Sequence, residues 1–279
     1  MNAKAHNEIE GERVKFFDRY GPWAVVLGAS EGLGEAYAHG AARRELNVVV
    51  AARRAELCQR VARDIAAQHG VATHAVAVDL AAPNFLAELR AVTDPLEVGL
   101  VVYNAAAEYT GPFKSQGVES LQRIIAVNCL GPAVVCEHFG RRMLERKRGG
   151  LVLMASAAGL AGPAYNAAYG ASKAFDMVLG EALWAEWRDE GVDVLSVIGP
   201  AIDTPNFRAA APQDGSMPPA IAPTIVVEEA FETLGVTPSF VPGAEVRDRL
   251  AMLGALPRQQ QVEVMSAAHA GFASGQHGT

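Results

Sequence analysis

The fold is decided by residues 23–34, which read WAVVLGASEGLG. The apolar run Trp23–Leu27 is typical of a strand that is buried on both faces, and a helical pattern follows over Leu33–Arg44. Glycines between a strand and a helix allow a tight turn and let backbone N–H groups approach a pyrophosphate at the helix N-terminus. The spacing G-x-x-x-G-x-G differs from the common G-x-G-x-x-G dinucleotide fingerprint. This stretch therefore indicates a phosphate-binding strand, turn and helix, with an ordinary glycine-rich turn as the alternative.

The same alternation of strand and helix patterns continues toward the C-terminus. Further short apolar runs, mostly continuous and β-branched, occur at Asn47–Ala51, Thr73–Val78, Gly99–Tyr103, Leu151–Met154 and Val192–Ile198. Helix-forming segments separate them at Ala55–His69, Phe85–Val92, Val118–Glu145 and Tyr169–Glu190. This order predicts an α/β fold with a single Rossmann-like domain, in which a doubly wound parallel sheet carries helices on both faces.

The chain divides into three predicted parts. Residues 1–20 are a polar N-terminal extension, residues 21–242 are the dinucleotide-binding and catalytic domain, and residues 243–279 are a C-terminal helical tail. Within the domain, residues 205–224 are rich in proline and poor in periodicity. A loop of that length inside a compact domain is usually functional or disordered, so we predict that it covers the substrate. A short apolar run, Ser239–Val241, is a candidate last strand.

Composition excludes several classes of protein. The 279 residues include 24 Lys and Arg against 31 Asp and Glu, a net charge of −7 without a basic block, which argues against nucleic acid as a partner. Three cysteines and seven histidines show no ligand-like spacing, so we predict no metal site. No apolar run reaches the ~18 residues that span a bilayer, and the N-terminus lacks the apolar core of a signal peptide. We therefore expect a cytoplasmic protein without a membrane span.

The end of the second predicted strand selects between the two nicotinamide cofactors. A carboxylate at this position binds a ribose 2′-hydroxyl, as in NAD sites, whereas an arginine accommodates a 2′-phosphate. The sequence here is Ala51-Ala52-Arg53-Arg54, with no acid. Because a guanidinium is a planar fork suited to phosphate, we predict NADP(H) rather than NAD(H), with a solvated helix start as the alternative. Glu31 argues the other way, since its carboxylate would repel a 2′-phosphate.

A tyrosine and a lysine share one helix face. Tyr169 and Lys173 lie one helical turn apart within an amphipathic pattern. A free phenol, with a pKa of about 10, is a poor acid–base catalyst at neutral pH, but a nearby ammonium favours the phenolate. Ser156 ends the fifth predicted strand, where open α/β sheets place ligands, and its hydroxyl can stabilise a developing oxyanion. Together these residues predict the interconversion of an alcohol and a carbonyl compound.

In their order and spacing, these elements resemble the short-chain dehydrogenase/reductase family over roughly residues 23–204. The shared elements are the glycine loop, Asp79-Leu80 after strand three, Asn104-Ala105-Ala106 after strand four, Asn128 in the long helix, the set of Ser156, Tyr169 and Lys173, and the segment from Gly199 to Thr204. A narrower resemblance, carried by Tyr20–Val26, is to the branch that contains 17β-hydroxysteroid and long-chain 3-oxoacyl reductases.

The resemblance implies a catalytic set of Asn128, Ser156, Tyr169 and Lys173. Tyr169 would exchange a proton with the substrate oxygen. Lys173 would lower the pKa of Tyr169 and bind the nicotinamide ribose. Ser156 would orient and polarise the substrate carbonyl, and Asn128 would hold a water in a proton relay behind Lys173.

The cofactor contacts implied by the resemblance follow the carboxyl ends of the strands. The glycine loop would hold the pyrophosphate, and Arg53 would meet the 2′-phosphate. The segment after strand three would contact the adenine, the segment after strand four would lie near its ribose, and the segment after strand six would fix the nicotinamide face. The implied set is Gly28, Ser30, Gly32, Leu33, Gly34, Arg53, Asp79, Leu80, Asn104, Tyr169, Lys173, Ile202 and Thr204.

The sequence therefore predicts an NADP(H)-dependent oxidoreductase that interconverts a hydrophobic secondary alcohol and a ketone, which is steroid-like, 3-oxoacyl or aromatic. Two alternatives stay open: a non-catalytic nucleotide-sensing or binding module on the same fold, and a sugar-nucleotide epimerase or dehydratase. The resemblance also favours a homodimer or homotetramer built on the helix that carries Tyr169. Trp184 and Trp187 on that helix belong either to the core or to the subunit interface, where aromatic residues are enriched.

Overall fold

The computed structural model of the chain describes residues 15–211 and 220–275. Within these ranges, seven strands form one parallel sheet in the order β3-β2-β1-β4-β5-β6-β7. The chain order reverses between β1 and β4, so the loops at their carboxyl ends diverge and leave a crevice. The strands are β1 Trp23–Leu27, β2 Asn47–Ala52, β3 Thr73–Ala77, β4 Val98–Tyr103, β5 Gly149–Ser156, β6 Val192–Gly199 and β7 Ser239–Phe240.

Helices cover both faces of this sheet, with α2, α3 and α9 on one face and α4, α6 and α7 on the other. The helices are α1 over the described residues 15–20, α2 Gly32–Arg43, α3 Ala55–His69, α4 Phe85–Thr93, α5 Val118–Ile125, α6 Gly131–Glu145, α7 Ala167–Trp187, α8 Pro205–Ala210, α9 Pro223–Thr233, α10 Ala244–Gly254 and α11 Arg258–Gly275. The predicted α/β fold, a single domain with a doubly wound parallel sheet, is confirmed.

The central strands are buried on both faces. In β1, Ala24 and Val26 belong to the core cluster beneath α2, α3 and α9, while Val25 and Leu27 belong to the cluster beneath α4, α6 and α7. Successive side chains of a strand point to opposite faces, so both sets have to be apolar. This is why the strands are visible in the sequence as continuous apolar runs rather than alternating patterns.

The long helix predicted over Val118–Glu145 is interrupted. A π-helical turn, Ala126–Leu130, joins α5 to α6, and the N–H of Gly131 bonds the carbonyl oxygen of Ala126. The carbonyl oxygen of Val127 instead accepts a hydrogen bond from the Tyr103 hydroxyl at 2.5 Å. Turns of this kind are rare and often occur at functional sites.

The stretch that contains this turn is also long and apolar enough, by length and composition alone, to cross a membrane. It is the one such helix among the described residues. Val135, Phe139 and Met143 on α6 are buried in the core cluster that also contains residues of β4 and β5. The doubly wound fold therefore accounts for the apolar character of α6.

The predicted substrate loop, residues 205–224, begins and ends as helix, which corrects the expectation of an irregular segment. The Thr204 hydroxyl accepts a hydrogen bond from the N–H of Phe207 at 3.2 Å and caps α8, and Pro205 occupies the first turn. Pro223 starts α9 in the same way. Proline suits a first helical turn because its missing N–H would have no partner there. Residues 212–219, in the middle of the predicted loop, lie outside the described ranges.

Residues 15–20 of the predicted N-terminal extension form α1 and pack against the domain. The Tyr20 hydroxyl donates to Oδ2 of Asp193 at 2.7 Å, and Arg19 donates to both carboxylate oxygens of Asp193 at 2.5 and 2.8 Å. Asp193 is only 4% exposed, and a buried carboxylate is costly without such partners. Residues 1–14 of the extension and residues 276–279 of the predicted tail lie outside the described ranges.

Replacing Tyr20 with phenylalanine tests this anchor. Tyr20→Phe removes one of the hydrogen bonds to the buried Asp193 carboxylate without changing the apolar ring. We expect the free energy of unfolding in urea to fall by about 1–2 kcal/mol, because hydrogen bonds to charged groups are stronger than neutral ones. Tyr165→Phe, at a tyrosine that is 40% exposed, is the control and should change it by less than about 0.5 kcal/mol. Equal effects of the two substitutions would contradict the anchor.

Candidate active site

The carboxyl ends of β1 to β4 open into a cleft of about 500 Å³. Its walls are the glycine loop between β1 and α2, the end of β2, the segments after β3 and β4, and the start of α8. The predicted cofactor-binding residues that line it are Gly28, Ser30, Gly32, Leu33, Arg53, Asp79, Leu80, Asn104 and Thr204. The remaining members of that predicted set do not line it; they are Gly34, Tyr169, Lys173 and Ile202.

The glycine loop depends on backbone conformations and contacts that a side chain would prevent. Gly28 has a φ of +83° and Gly32 a φ of +62°, both in the left-handed region. Gly34 lies so close to β1 that a Cβ would overlap the carbonyl oxygen of Gly28. The Asn104 amide, just after β4, donates to the same oxygen at 3.2 Å. The start of α2 is thus fixed between β1 and β4, where its N–H groups can bind an anion.

The two arginines after β2 have different partners. Arg54 forms an ion pair with Glu31 at 2.6 Å and donates to the Ser30 hydroxyl at 2.8 Å. Arg53 lines the cleft and is exposed, and within the described residues it has no ion-pair partner. The Glu31 carboxylate, which was expected to repel a 2′-phosphate, is therefore neutralised by Arg54. This leaves Arg53 to meet an anion.

Asp79, predicted to contact adenine, is paired with a cation that the sequence did not indicate. Arg123 of α5 donates to both carboxylate oxygens of Asp79 at 3.0 and 3.3 Å, and the N–H of Ala81 donates to Oδ1 at 3.1 Å. Burial alone would raise the pKa of Asp79, but Arg123 and Ala81 outweigh it, and the pKa is lowered. Arg123 lines the cleft as well. No local pattern could have revealed it, because Arg123 and Asp79 are 44 residues apart and meet only in the folded chain.

The segment after β6 borders the cleft from the other side. Thr204 is so close to the glycine loop that a Cβ on Gly32 would lie 3.2 Å from the Thr204 Cβ. Ile202 forms an isolated parallel bridge with Ile221 and packs against the core cluster beneath α2, α3 and α9. The structure thus brings Thr204 to the cleft and places Ile202 behind it.

Beyond this cleft, Ser156, Tyr169 and Lys173 form a second group of polar side chains. Ser156 ends β5 and caps the following turn, with its hydroxyl accepting from the N–H of Ala158 at 3.2 Å. Tyr169 and Lys173 lie on successive turns of α7, and the Lys173 ammonium is 5.8 Å from the centre of the Tyr169 ring. Lys173 is 3% exposed and donates to the carbonyl oxygen of Met154 at 2.7 Å. The arrangement brings the predicted proton donor, its cation and the hydroxyl together.

The surroundings of Tyr169 oppose its ionisation. Burial raises the pKa of its phenol. The Lys173 ammonium and a hydrogen bond from Ser156 lower it, whereas the carboxylates of Glu108 and Asp176 raise it, and the net shift is upward. Tyr169 is therefore a phenol and not a phenolate at neutral pH in this structure, and it can donate a proton.

Asn128, in the π-helical turn, is fully buried and engaged with the protein. Its amide nitrogen donates to the carbonyl oxygen of Ala107 at 2.8 Å and to the Ser172 hydroxyl at 2.9 Å. Its amide oxygen accepts from the N–H of Ala107 at 2.7 Å. The side chain thus ties the segment after β4 to α7. The role implied for it as the holder of a relay water stays a prediction.

Comparisons with known proteins agree with this geometry. A family model described as short chain dehydrogenase matches residues 22–215. The 7beta-hydroxysteroid dehydrogenase of Collinsella aerofaciens is 31% identical over 235 residues, which cover 83% of this chain and 89% of that protein. The very-long-chain 3-oxoacyl-CoA reductase of Aspergillus fumigatus is 33% identical over 190 residues, which cover 67% of this chain and 55% of that protein.

A solved structure is similar along most of its length. The short-chain dehydrogenase from Sphingobium yanoikuyae, determined in complex with NADPH, superposes with a TM-score of 0.73 at 25% sequence identity. The match covers 85% of this chain and 96% of that one.

Gly34→Ala tests the close contact that shapes the glycine loop. The added methyl group would meet the Gly28 carbonyl oxygen, so we expect the free energy of unfolding to fall by roughly 1–3 kcal/mol, as for overpacked cores. Gly254→Ala is the matched control, because a Cβ at this helical glycine meets nothing within 4 Å. It should leave the stability unchanged or raise it by up to about 1 kcal/mol. Urea unfolding measures both, and a neutral Gly34→Ala would contradict the contact.

Proposed function

This chain belongs to the short-chain dehydrogenase family, and on that premise we propose that it is an NADP(H)-dependent oxidoreductase interconverting a hydrophobic secondary alcohol and the corresponding ketone. The predicted resemblance to the family, and to the branch with 3-oxoacyl reductases, is confirmed by the family model and the relatives. The observation that carries the proposal is the grouping of Ser156, Tyr169 and Lys173 beside a cleft with a phosphate-binding glycine loop. The same grouping favours an enzyme over a non-catalytic binding module.

In the direction of reduction, the residues of the chain handle the proton. When bound, NADPH supplies hydride to the carbonyl carbon. Tyr169 donates its phenolic proton to the carbonyl oxygen. The π bond of the carbonyl group is thereby replaced by one C–H and one O–H bond, and the C–O single bond remains. Ser156 donates a hydrogen bond to the same oxygen as negative charge develops. Lys173 stabilises the phenolate that is left on Tyr169, which is then reprotonated from solvent.

The groups that line the cleft suit the phosphates and the adenine of NADP(H). The glycine loop and the start of α2 can hold the pyrophosphate, Leu80 can contact the adenine, and Arg53 can meet the 2′-phosphate. Because Arg54 pairs with Glu31, no uncompensated carboxylate of the loop faces that phosphate. The similar structure from Sphingobium yanoikuyae holds NADPH, which supports this assignment.

The substrate is proposed to be an apolar ketone or alcohol of steroid-like, 3-oxoacyl or aromatic type. One relative is named for a hydroxysteroid and another for a very-long-chain 3-oxoacyl-CoA. We place the substrate beside the segment between β5 and α7, which links Ser156 to Tyr169. Helix α11 packs on this segment. The Ser266 hydroxyl accepts from the N–H of Ala164 at 2.9 Å, and Arg258 donates to the carbonyl oxygen of Leu160 at 2.7 Å.

We further propose that a second copy of the chain packs on α5 and α7, as a homodimer or as part of a homotetramer. These neighbouring helices and the turn after α5 expose large apolar side chains. The exposed residues are Val118, Ile125, Leu130, Phe175 and Val178. Trp184 and Trp187 are partly buried and pack against the core cluster, and the Trp187 ring lies against Gly140. The tryptophans thus pack on the core from one side, and the exposed apolar side chains of α7 lie near its middle.

Tyr169→Phe tests the proton donor. It removes the phenolic hydroxyl and keeps the ring, so NADPH should bind with nearly unchanged affinity. Turnover of any accepted ketone should fall by at least the ~10²–10⁴-fold typical of general acid catalysis. Oxidation of NADPH with a panel of apolar ketones measures turnover, and calorimetry with NADPH is the control for binding. Full turnover in the variant would contradict the mechanism.

Arg53→Ala tests the choice of cofactor. Loss of the guanidinium should weaken NADPH binding by roughly 10- to 100-fold, the equivalent of a hydrogen bond to a charged group, and should hardly change NADH binding. Arg141→Ala, at an exposed arginine of α6 that does not line the cleft, is the control and should change neither. Calorimetric titration with the two nucleotides decides the matter. Equal losses for NADPH and NADH would contradict the 2′-phosphate assignment.

A further inference from the structure

One buried acid in the candidate active site has no part in the proposed chemistry. Asp176 lies one turn after Lys173 on α7 and is 1% exposed. Its Oδ2 accepts a hydrogen bond from the Lys173 ammonium at 2.9 Å. Among the described residues, its Oδ1 has no hydrogen-bond partner although it is fully buried. Such an atom is costly to bury, so packing alone does not explain an aspartate here.

Stability does not explain it either. A buried ion pair gains little net free energy, because removing both charges from water costs about as much as their attraction returns. The pair of Asp176 and Lys173 therefore points to the role of Lys173, which lies beside Tyr169.

Asp176 reduces the effect of the Lys173 ammonium on Tyr169. An ammonium has three hydrogens to donate, and Lys173 gives one to Asp176 and one to the carbonyl oxygen of Met154. This geometry fixes the direction of the ammonium. It also places a negative charge against it, so that the pair is neutral overall and attracts a phenolate less than a free ammonium would.

The other titratable groups that face the Asp176–Lys173 pair do not add a second buried charge. Around Asp176 are the phenol of Tyr103 on β4 and the thiols of Cys129 in the π-helical turn and Cys136 on α6. Burial raises the pKa of each of these groups, so they are neutral at pH 7. The remaining carboxylate near Tyr169 is Glu108, which is exposed and bonds the Asn166 amide at 3.2 Å.

We propose that Asp176 is a positioning residue that acts through Lys173: it fixes the ammonium beside Tyr169 and offsets its charge, so that Tyr169 loses its proton at a higher pH than it would beside an unpaired ammonium. Tyr169 is then ready to donate that proton to a carbonyl oxygen, and the site is poised for reduction. This inference rests on the proposed function for its meaning in catalysis. The effect on Tyr169 is a property of the protein itself and can be measured without substrate.

The test is an ultraviolet titration of Tyr169. Phenolate absorbs differently from phenol, and subtracting the titration of Tyr169→Phe from that of the parent protein isolates the signal of Tyr169. The same subtraction is made in an Asp176→Asn background, where the carboxamide can still accept from Lys173 but carries no charge. We expect the phenolate to form at lower pH there, with its fraction at a given pH below the midpoint raised about tenfold. An unchanged or higher midpoint would overturn the proposal.

Two controls separate charge from packing. Asp176→Glu keeps the carboxylate and should keep the midpoint close to that of the parent protein. Glu108→Gln removes the exposed carboxylate near Tyr169 and should move the midpoint less than Asp176→Asn does, because water screens an exposed charge. If Asp176→Asn does not fold, Asp176→Ser removes the same charge and takes its place, and an unchanged or higher midpoint there likewise overturns the proposal.

Turnover gives a second readout once a ketone is accepted. The alkaline limb of the pH profile for reduction reports loss of the Tyr169 proton, and the acid limb for oxidation reports its gain. Both limbs should move to lower pH in Asp176→Asn, whereas a purely structural role would lower the rates and leave both limbs in place. If no ketone is turned over, the proposed function fails, while the ultraviolet titration still decides the role of Asp176.

Discussion

The rest of the site depends on one close approach of two backbones. Gly34, in the first turn of α2, lies directly against the carbonyl oxygen of Gly28 at the end of β1, and Asn104 donates to the same oxygen from the end of β4. The helix N-terminus is therefore locked to the two strands between which the order of the sheet reverses. Its N–H groups and its dipole face the crevice. The cleft has one fixed wall, and Arg53, which we propose selects the cofactor, is placed relative to that wall.

The polar side chains of the site are mostly bound to the protein itself. Asn128 gives its amide to the segment after β4 and to α7, and Lys173 gives two of its hydrogens to Met154 and Asp176. Within the described residues, the groups that stay available to ligands include one hydrogen of Lys173, the hydroxyls of Ser156 and Tyr169, and the guanidinium of Arg53. The other polar side chains are already hydrogen-bonded to the protein. Ligand binding therefore has to order few side chains, and the proposed reacting groups are in position before it.

The sequence predicts those features that repeat or that chemistry restricts to few residue types. Strands buried on both faces give continuous apolar runs, a tight turn requires glycine, and the spacing of Tyr169 and Lys173 follows from the helical turn. The features that it missed depend on packing between distant segments. Arg123 and Asp79 are 44 residues apart and meet only in the folded chain. In the sequence, Asp176 looks like an exposed polar residue of an amphipathic helix, although it is buried. Pro132 lacks the N–H that would continue the α-helix. The π-helical turn before it also depends on a hydrogen bond from Tyr103, which belongs to β4.

The anchor of α1 has a consequence for how the chain reaches its native state. Arg19 and Tyr20 bind Asp193, which is more than 170 residues away along the chain, with a sequence separation of 174 for the Arg19 contact. Tyr20 also lies against Leu234. During synthesis, Arg19 and Tyr20 of the first described helix therefore lack their carboxylate partner until β6 has left the ribosome. Contacts of such long range slow folding, because the entropy of closing the intervening loop must be lost before they form. A nascent chain that has completed β1 to β5 thus still lacks Asp193 and the Phe231 ring of α9, against which Arg19, Tyr20 and Phe16 of α1 pack, and it depends on these late elements to complete the anchor.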